Sequence, residues 1–123
     1  MTDLDALIRD IEAATGPDRA LDERIALAVG CEMSQPGGVG AVQWWRQSSA
    51  HLWEIGPPNF TGSLNAARRT FGDHPWCVEI HAGRYCVYID NGGEAIGGSF
   101  ADTEILAVLA ASMRLKQRED VKP

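Results

Sequence analysis

The sequence predicts an α+β fold in which an antiparallel sheet of three to five strands is sandwiched by α-helices. Three observations favour this class. The first thirty residues show helical periodicity, and the middle of the chain holds short aromatic and β-branched runs separated by turn residues. The last apolar segment, residues 105–115, is again helical in pattern. The expected order is two helices, two strands, a middle helix, two or three strands and a buried C-terminal helix.

The N-terminal segment is predicted to form a pair of helices. Four apolar residues follow the i, i+3, i+4, i+7 spacing of one helical face: Leu4, Leu7, Ile8 and Ile11. We expect Thr2 to cap the first helix and Gly16 to end it in a left-handed conformation. Pro17 suits the first position of the second helix, and Gly30 is expected to end that helix.

The next segment is predicted to form a first hairpin and the middle helix. Residues 35–40 are rich in Gly and Pro and indicate a loop. Residues 42–46 and 51–55 are strand-like runs joined by residues 47–50. Within the first run the neighbours Trp44 and Trp45 should point to opposite faces. A third helix then begins after a cap at Thr61 or Ser63.

The second hairpin has a register that the sequence predicts. Residues 76–81 and 84–89 flank Ala82 and Gly83, and a two-residue loop would place Ile80 opposite Tyr85. Apolar residues then share one face: Val78, Ile80, Tyr85, Val87 and Ile89. Residues 94–99 form a short edge strand, and Asp102 is expected to cap the buried last helix.

Three segments of the chain resemble a known group of small proteins. They read GPDRALDERIALAVG, NFTGSLNAARRTF and DTEILAVLAASMRLK. This chain is thereby similar to the phage ABA-sandwich-like proteins of bacteriophages and prophages, which show a GPDRxLDxxIA helix and a YTxSLDAA segment. Asn65 stands where that pattern has Asp. The resemblance implies a small phage-encoded α/β protein, and it implies no activity and no catalytic residue.

Length and charge limit the classes of function. Residues 1–123 suffice for a single α/β sandwich domain. The net charge is −6, and the sequence shows no broad basic face, so general binding of nucleic acid is not expected. The acidic N-terminus lacks the features of a signal peptide, and the longest apolar run is too short to span a membrane. We therefore expect a protein of the host-cell cytoplasm with no membrane partner.

Residues with catalytic or metal-binding chemistry are few. His74, Cys77, His81 and Cys86 are zinc-ligand types, but a flat strand separates residues 77 and 81 by about 13 Å, too far for one ion. The three cysteines are expected to be reduced and to act as small buried hydrophobes. Glu79 and His81 share a strand face that would permit acid/base chemistry. Without a catalytic motif we expect no cofactor, no metal site and no enzyme.

The candidate site is a set of aromatic and basic residues. Four tryptophans in 123 residues exceed the needs of a small core, and aromatics with arginine are typical of binding surfaces. The predicted ligand- or partner-binding residues are Trp44, Trp45, Arg46, Arg68 and Arg69. Their partner would be a host protein or a nucleotide-like small molecule, and the surplus aromatics also favour a homo-oligomer.

Two functions follow as hypotheses. In the first, a phage-encoded binding protein acts stoichiometrically on a host component, such as a defence protein or a nucleotide signal. In the second, the protein is a structural or assembly accessory that acts through homo-oligomer contacts.

Overall fold

The computed structural model describes residues 3–34, 43–46, 53–98 and 100–121. Within these residues the helices are α1 (Asp3–Ala13), α2 (Arg19–Ala28), α3 (Leu64–Arg68) and α4 (Glu104–Val121). The strands are β1 (Glu32–Ser34), β2 (Trp44–Arg46), β3 (Glu54–Ile55), β4 (Trp76–His81), β5 (Arg84–Asn91) and β6 (Glu94–Gly97). The expected cap Thr2, loop 35–40 and turn 47–50 lie outside the described residues.

The α+β class and the antiparallel pairing are confirmed, but the strands divide between two sheets. The N-terminal sheet has the order β1-β2-β3, and the C-terminal sheet has the order β4-β5-β6. Each sheet is antiparallel throughout. In the chain, α3 lies between the last strand of the first sheet and the first strand of the second.

The last helix is the centre of the core, as the sequence predicts. One side of α4 contacts β5 and β6, and the helix also contacts α1 and α3. Leu106, Leu109 and Met113 are fully buried. The layers are therefore the C-terminal sheet, then α4, then α1 with α3, so that α4 rather than the sheet is covered on two sides. The outer face of this sheet carries the exposed residues Cys77 and Glu79.

The ends of the first two helices differ in part from the prediction. The α1 helix ends at Ala13, and Gly16 does not have the left-handed conformation expected of it. Asp18 caps α2, because its carboxylate accepts hydrogen bonds from the backbone N–H groups of the second and third helical residues. Pro17 therefore precedes the cap instead of opening the helix. Gly30 is left-handed with φ +85°, as expected of a residue that ends a helix.

The caps of α3 and α4 are both hydroxyl side chains. Ser63 Oγ accepts a hydrogen bond from the backbone of α3 at 3.2 Å. Thr103 Oγ1 accepts one from Leu106 N at 3.1 Å and is the cap of α4. The expectation for Asp102 was wrong, because its carboxylate forms an ion pair with Arg84.

The β4-β5 hairpin has the predicted register. Ile80 lies opposite Tyr85, and the turn residues Ala82 and Gly83 both have positive φ, 51° and 77°. Ile80 is nevertheless 61% exposed. The α4 helix packs on β5 and β6, so the tip of β4 extends past the surface that covers the rest of the sheet.

Candidate functional site

The two tryptophans of β2 point to opposite faces of the N-terminal sheet, as predicted. Trp45 is 1% exposed and belongs to the hydrophobic core. Among the residues that the structure describes, its buried indole Nε1 has no hydrogen-bond partner. Trp44 is half-buried and shares the other face with Arg46, two residues along the strand. Of the two, Trp44 is therefore the one turned away from the core.

That outer face carries two further apolar side chains from the segment of β3. Ile55 is paired with Trp44 across the strands and is 67% exposed. Trp53, 38% exposed, precedes β3, and its ring centre lies 4.6 Å from the guanidinium carbon of Arg46. We call Trp44, Arg46, Trp53 and Ile55 the aromatic face. The sequence reasoning missed Trp53 and Ile55, although their i, i+2 spacing in a strand opposite Trp44 is the signal that would have found them.

Arg46 is already engaged within its own sheet. Its Nη2 donates to both carboxylate oxygens of Glu32 at 2.8 Å, across the β1-β2 pair. Its Nε atom is buried and has no hydrogen-bond partner in the described part of the chain. The positive charge of Arg46 is therefore balanced by Glu32, and its guanidinium covers the Trp53 ring.

The two predicted arginines of the α3 region lie elsewhere. The guanidinium of Arg68 stacks on the ring of Trp76, with its carbon 4.3 Å from the ring centre. Trp76 begins β4, so this contact joins α3 to the C-terminal sheet. Arg69 is the C-terminal cap residue of α3, and its Nε donates to the backbone oxygen of Asn65 at 3.3 Å. The five predicted residues thus occupy the core, the aromatic face, the Trp76 stack and the end of α3.

Arg69 and Ile55 line a groove between β3 and α3. Its volume is about 510 Å³. We call it the β3–α3 groove, and its lining includes Glu54, Ile55, Pro57, Pro58, Ala66 and Arg69. The groove adjoins the aromatic face, since Ile55 belongs to both. It is the place where one arginine of the α3 region approaches the N-terminal sheet.

Polar side chains also cluster on the outer face of the C-terminal sheet. His81 Nε2 lies 3.4 Å from a carboxylate oxygen of Glu79, and both side chains are at least half exposed. A hydrogen bond with Cys86, together with the charges of Cys86 and Glu79, raises the pKa of Tyr88 to about 12. The Glu79 and His81 side chains lie on an exposed strand surface, where a substrate would remain in water.

The three cysteines and His74 lie in different environments of the fold. Cys86 is fully buried, Cys31 is half-buried and Cys77 is exposed, so the expectation of buried thiols holds fully for Cys86 alone. His74 Nδ1 lies 3.2 Å from the backbone oxygen of Asp90. Among the described residues, no three His, Cys, Asp or Glu side chains are placed to hold a metal ion.

The motif segments GPDRALD and NFTGS meet at a buried carboxylate. Asp22 is fully buried, and one of its oxygens accepts hydrogen bonds from Thr61 N at 2.7 Å and Thr61 Oγ1 at 2.8 Å. The other oxygen pairs with Arg19 at 2.7 Å, and Arg19 also donates to the backbone oxygen of Pro57. The residues that carry the resemblance therefore form a structural joint between α2 and the segment that leads into α3.

The comparisons with known proteins add no relative. The chain matches no protein-family model, no curated protein and no solved structure. In the described part of the chain, none of the helices has both the length and the apolar character required to cross a membrane.

Proposed function

We propose that this chain is a non-catalytic binding protein that acts stoichiometrically by occupying the surface of another protein. The contact surface in this proposal is the aromatic face. The resemblance to small phage-encoded proteins supports a host component as the partner, such as a protein of antiviral defence, and the host cytoplasm as the place of binding.

The observation that carries the proposal is the exposure of large side chains on a sheet surface. Trp53 and Ile55 are exposed on the same face as Trp44 and Arg46. Tryptophan and arginine are the residue types that dominate binding energy at protein interfaces. The stack of Arg46 on Trp53 holds both side chains in place before binding, which lowers the entropy lost on association.

The charges around this face favour a protein over a nucleotide-like ligand. Glu32 already neutralises Arg46, so that guanidinium has little attraction left for a phosphate. Arg46 also covers the Trp53 ring, on which a base would have to stack. Glu54 is an exposed acid on the same strand as Ile55, and the whole chain has a net charge of −6. A ligand that carries several negative charges, such as a nucleotide, would be repelled by this excess of acidic charge, whereas a largely apolar protein surface would not.

Site-specific photocrosslinking in host cells tests the proposal. A photoreactive amino acid replaces Trp53 in one variant and Leu27 in the control, because Leu27 is an exposed apolar side chain of α2 outside the aromatic face. We expect a crosslinked host protein from position 53 and not from position 27. The purified partner should then bind Trp53→Ala about tenfold or more weakly than it binds the parent chain.

Two outcomes would contradict the proposal. Equal crosslinking from both positions would mean that the face has no specific partner. Crosslinks only between copies of this chain, with a mass above 13.3 kDa in light scattering, would favour the alternative function of an assembly accessory.

A further inference from the structure

The outer edge of the N-terminal sheet offers unpaired backbone groups. Gly56 N donates to Gln43 O at 3.1 Å, which places Gly56 at a hydrogen-bonded position of the antiparallel β2-β3 pair. The next position, Ile55, is then non-hydrogen-bonded toward β2, and its N–H and C=O point outward. Outside the strand ladders, the described residues form no backbone hydrogen bond with either group of Ile55. Such an edge is a template for one more strand.

The β3–α3 groove runs along this edge. Glu54 and Ile55 are neighbours on a strand, so their side chains point to opposite faces, yet both line the groove. A groove lined by both residues of β3 therefore lies along this edge strand. Ala66 and Arg69 of the α3 region form its opposite wall. A volume of about 510 Å³ lies within the range of pockets that hold drug-sized ligands.

Arg69 is the cation of this groove. Six other arginines among the described residues form ion pairs with carboxylates of this chain: Arg19, Arg24, Arg46, Arg84, Arg114 and Arg118. Arg68 stacks on an indole ring. In the described structure, Arg69 contacts only a backbone oxygen of its own helix. Its guanidinium therefore keeps the fork of donors that suits a carboxylate.

The loop at Pro57 and Pro58 bears on whether the groove suits a chain-terminal carboxylate or an acidic side chain. Binding of a chain-terminal carboxylate commonly uses a cradle of backbone N–H groups. Pro57 and Pro58 have no N–H, and Gly56 N already donates to Gln43 O, so these three residues cannot supply such a cradle. An acidic side chain in a peptide that continues past the groove does not need a cradle of backbone N–H groups.

We propose that the β3–α3 groove binds an extended segment of a partner protein, which pairs with the backbone of Ile55 and sets an acidic side chain against Arg69. The inference rests on the proposed function in one respect: it takes the ligand to be part of a protein. It adds strand pairing as the mode of recognition and acidity as the chemistry of the segment. Ile55 connects this groove to the aromatic face, so one partner can contact both.

Synthetic peptides test this proposal without the host partner. The probes are peptides of about nine residues, enough to cover a strand of ordinary length, with alternating Val and Thr and one central Glu, Gln or Lys. Each is made with a free and with an amidated C-terminus, and binding is measured by fluorescence anisotropy. We expect the Glu peptide to bind about tenfold more tightly than the Gln peptide, with little effect of amidation, because the charge-assisted contact is made by the side chain.

Variants assign the contact to its residues. Arg69→Gln should abolish the preference for Glu, and Arg69→Lys should retain part of it. Arg9→Gln is the matched control, since Arg9 is an exposed arginine of α1 outside the groove. Glu54→Gln should not weaken binding of the Glu peptide, because it removes a negative charge from the groove. Hydrogen exchange should show the Ile55 amide protected when the Glu peptide is bound.

Some results would overturn the inference. Equal affinity for the Glu, Gln and Lys peptides, or loss of binding on amidation alone, would exclude an acidic side chain as the anchor. An Ile55 amide that exchanges equally fast with and without bound peptide would exclude strand pairing. If none of the peptides binds while position 53 still crosslinks to a host protein, the groove proposal is wrong. The proposal that the aromatic face binds a host protein is then retained.

Discussion

Thr61 Oγ1 lies 2.8 Å from a carboxylate oxygen of Asp22 that no water can reach. The same hydroxyl accepts a hydrogen bond from Asp18 N at 2.8 Å, so one side chain connects the cap of α2 to its buried acid. Arg19 supplies the opposing charge from a half-exposed position. A buried carboxylate is costly unless it is paired and hydrogen-bonded, and this joint satisfies both conditions. The segment that leads into the β3–α3 groove is therefore held firmly against α2.

The first prediction concerns this joint. Thr61→Val keeps the shape of the side chain but removes a donor to Asp22. We expect the free energy of unfolding to fall by about 1 to 3 kcal/mol, because Asp22 loses a hydrogen bond to its charged carboxylate and Asp18 N loses its acceptor, although Thr61 N still donates to Asp22. Urea denaturation measures it. Asp10→Asn is the control, because the ion pair of Asp10 with Arg24 is exposed and its loss should cost less than about 1 kcal/mol. Equal losses of unfolding free energy in the two variants would show that the hydrogen bonds of Thr61 stabilise the fold no more than an exposed ion pair does.

The second prediction concerns the core position of α4. Leu109→Ala should lower the free energy of unfolding by about 2 to 5 kcal/mol, as truncation of a buried leucine does. Leu27→Ala, at a leucine of α2 that is 55% exposed, should change it by less than about 0.5 kcal/mol. Thermal and urea unfolding of both variants give the comparison. A melting temperature of Leu109→Ala equal to that of the parent would place α4 at the periphery.

The third prediction separates two adjacent arginines. Arg68→Ala should destabilise the fold by about 0.5 to 1 kcal/mol, because the stack on Trp76 is lost. Arg69→Ala removes the same charge but only a contact within its own helix, so a change below about 0.5 kcal/mol is expected. Chemical unfolding followed by tryptophan fluorescence compares them. If Arg69→Ala proved the more destabilising, Arg69 would have a structural role that competes with the proposed binding role.

The fourth prediction is a titration. Tyr85 and Tyr88 are the two tyrosines of the chain, so the Tyr85→Phe variant reports Tyr88 alone in absorbance. The phenol should ionise near pH 12, since its pKa is raised to about 12 chiefly by the hydrogen bond with Cys86. Cys86→Ala should lower this pKa toward the ordinary value of about 10, whereas Cys77→Ala should leave it in place.

The same shift has a consequence for stability. A folded-state pKa above that of the unfolded chain means that the neutral phenol is favoured by folding. This contribution is fully present below about pH 10 and is lost as the pH rises through about 12. Alkaline unfolding of Cys86→Ala should therefore depend less on pH in this range than that of the parent.

Much of the fold could be predicted from local chemistry. The stripe from Leu4 to Ile11 is buried as its spacing requires, because helical geometry fixes which residues share a face. The register of the β4-β5 hairpin followed from its two-residue turn, since one slipped residue would have moved every apolar side chain to the wrong face. The opposite orientation of Trp44 and Trp45 has the same origin.

The candidate site could be predicted in part. Trp44 and Arg46 share an exposed face, but Trp53 and Ile55 join them only through strand pairing across residues distant in sequence. The sequence places Arg68 and Arg69 together in the predicted binding site, because both are arginines of the third helix. The structure separates them, because Arg68 lies on the indole of Trp76 and Arg69 lines the groove beside β3.

The sequence by itself determined the class of the helices and of strands β2 to β6, the helical and strand faces and the hairpin register, because these depend on backbone periodicity and turn conformation over a few residues. It did not predict the strand β1. Only the tertiary structure decided that the strands form two sheets, that Asp22 is buried against Thr61 and that Glu32 neutralises Arg46. Each of these depends on contacts between residues far apart in the chain. Their free energies come from burial and pairing, which local sequence patterns do not encode.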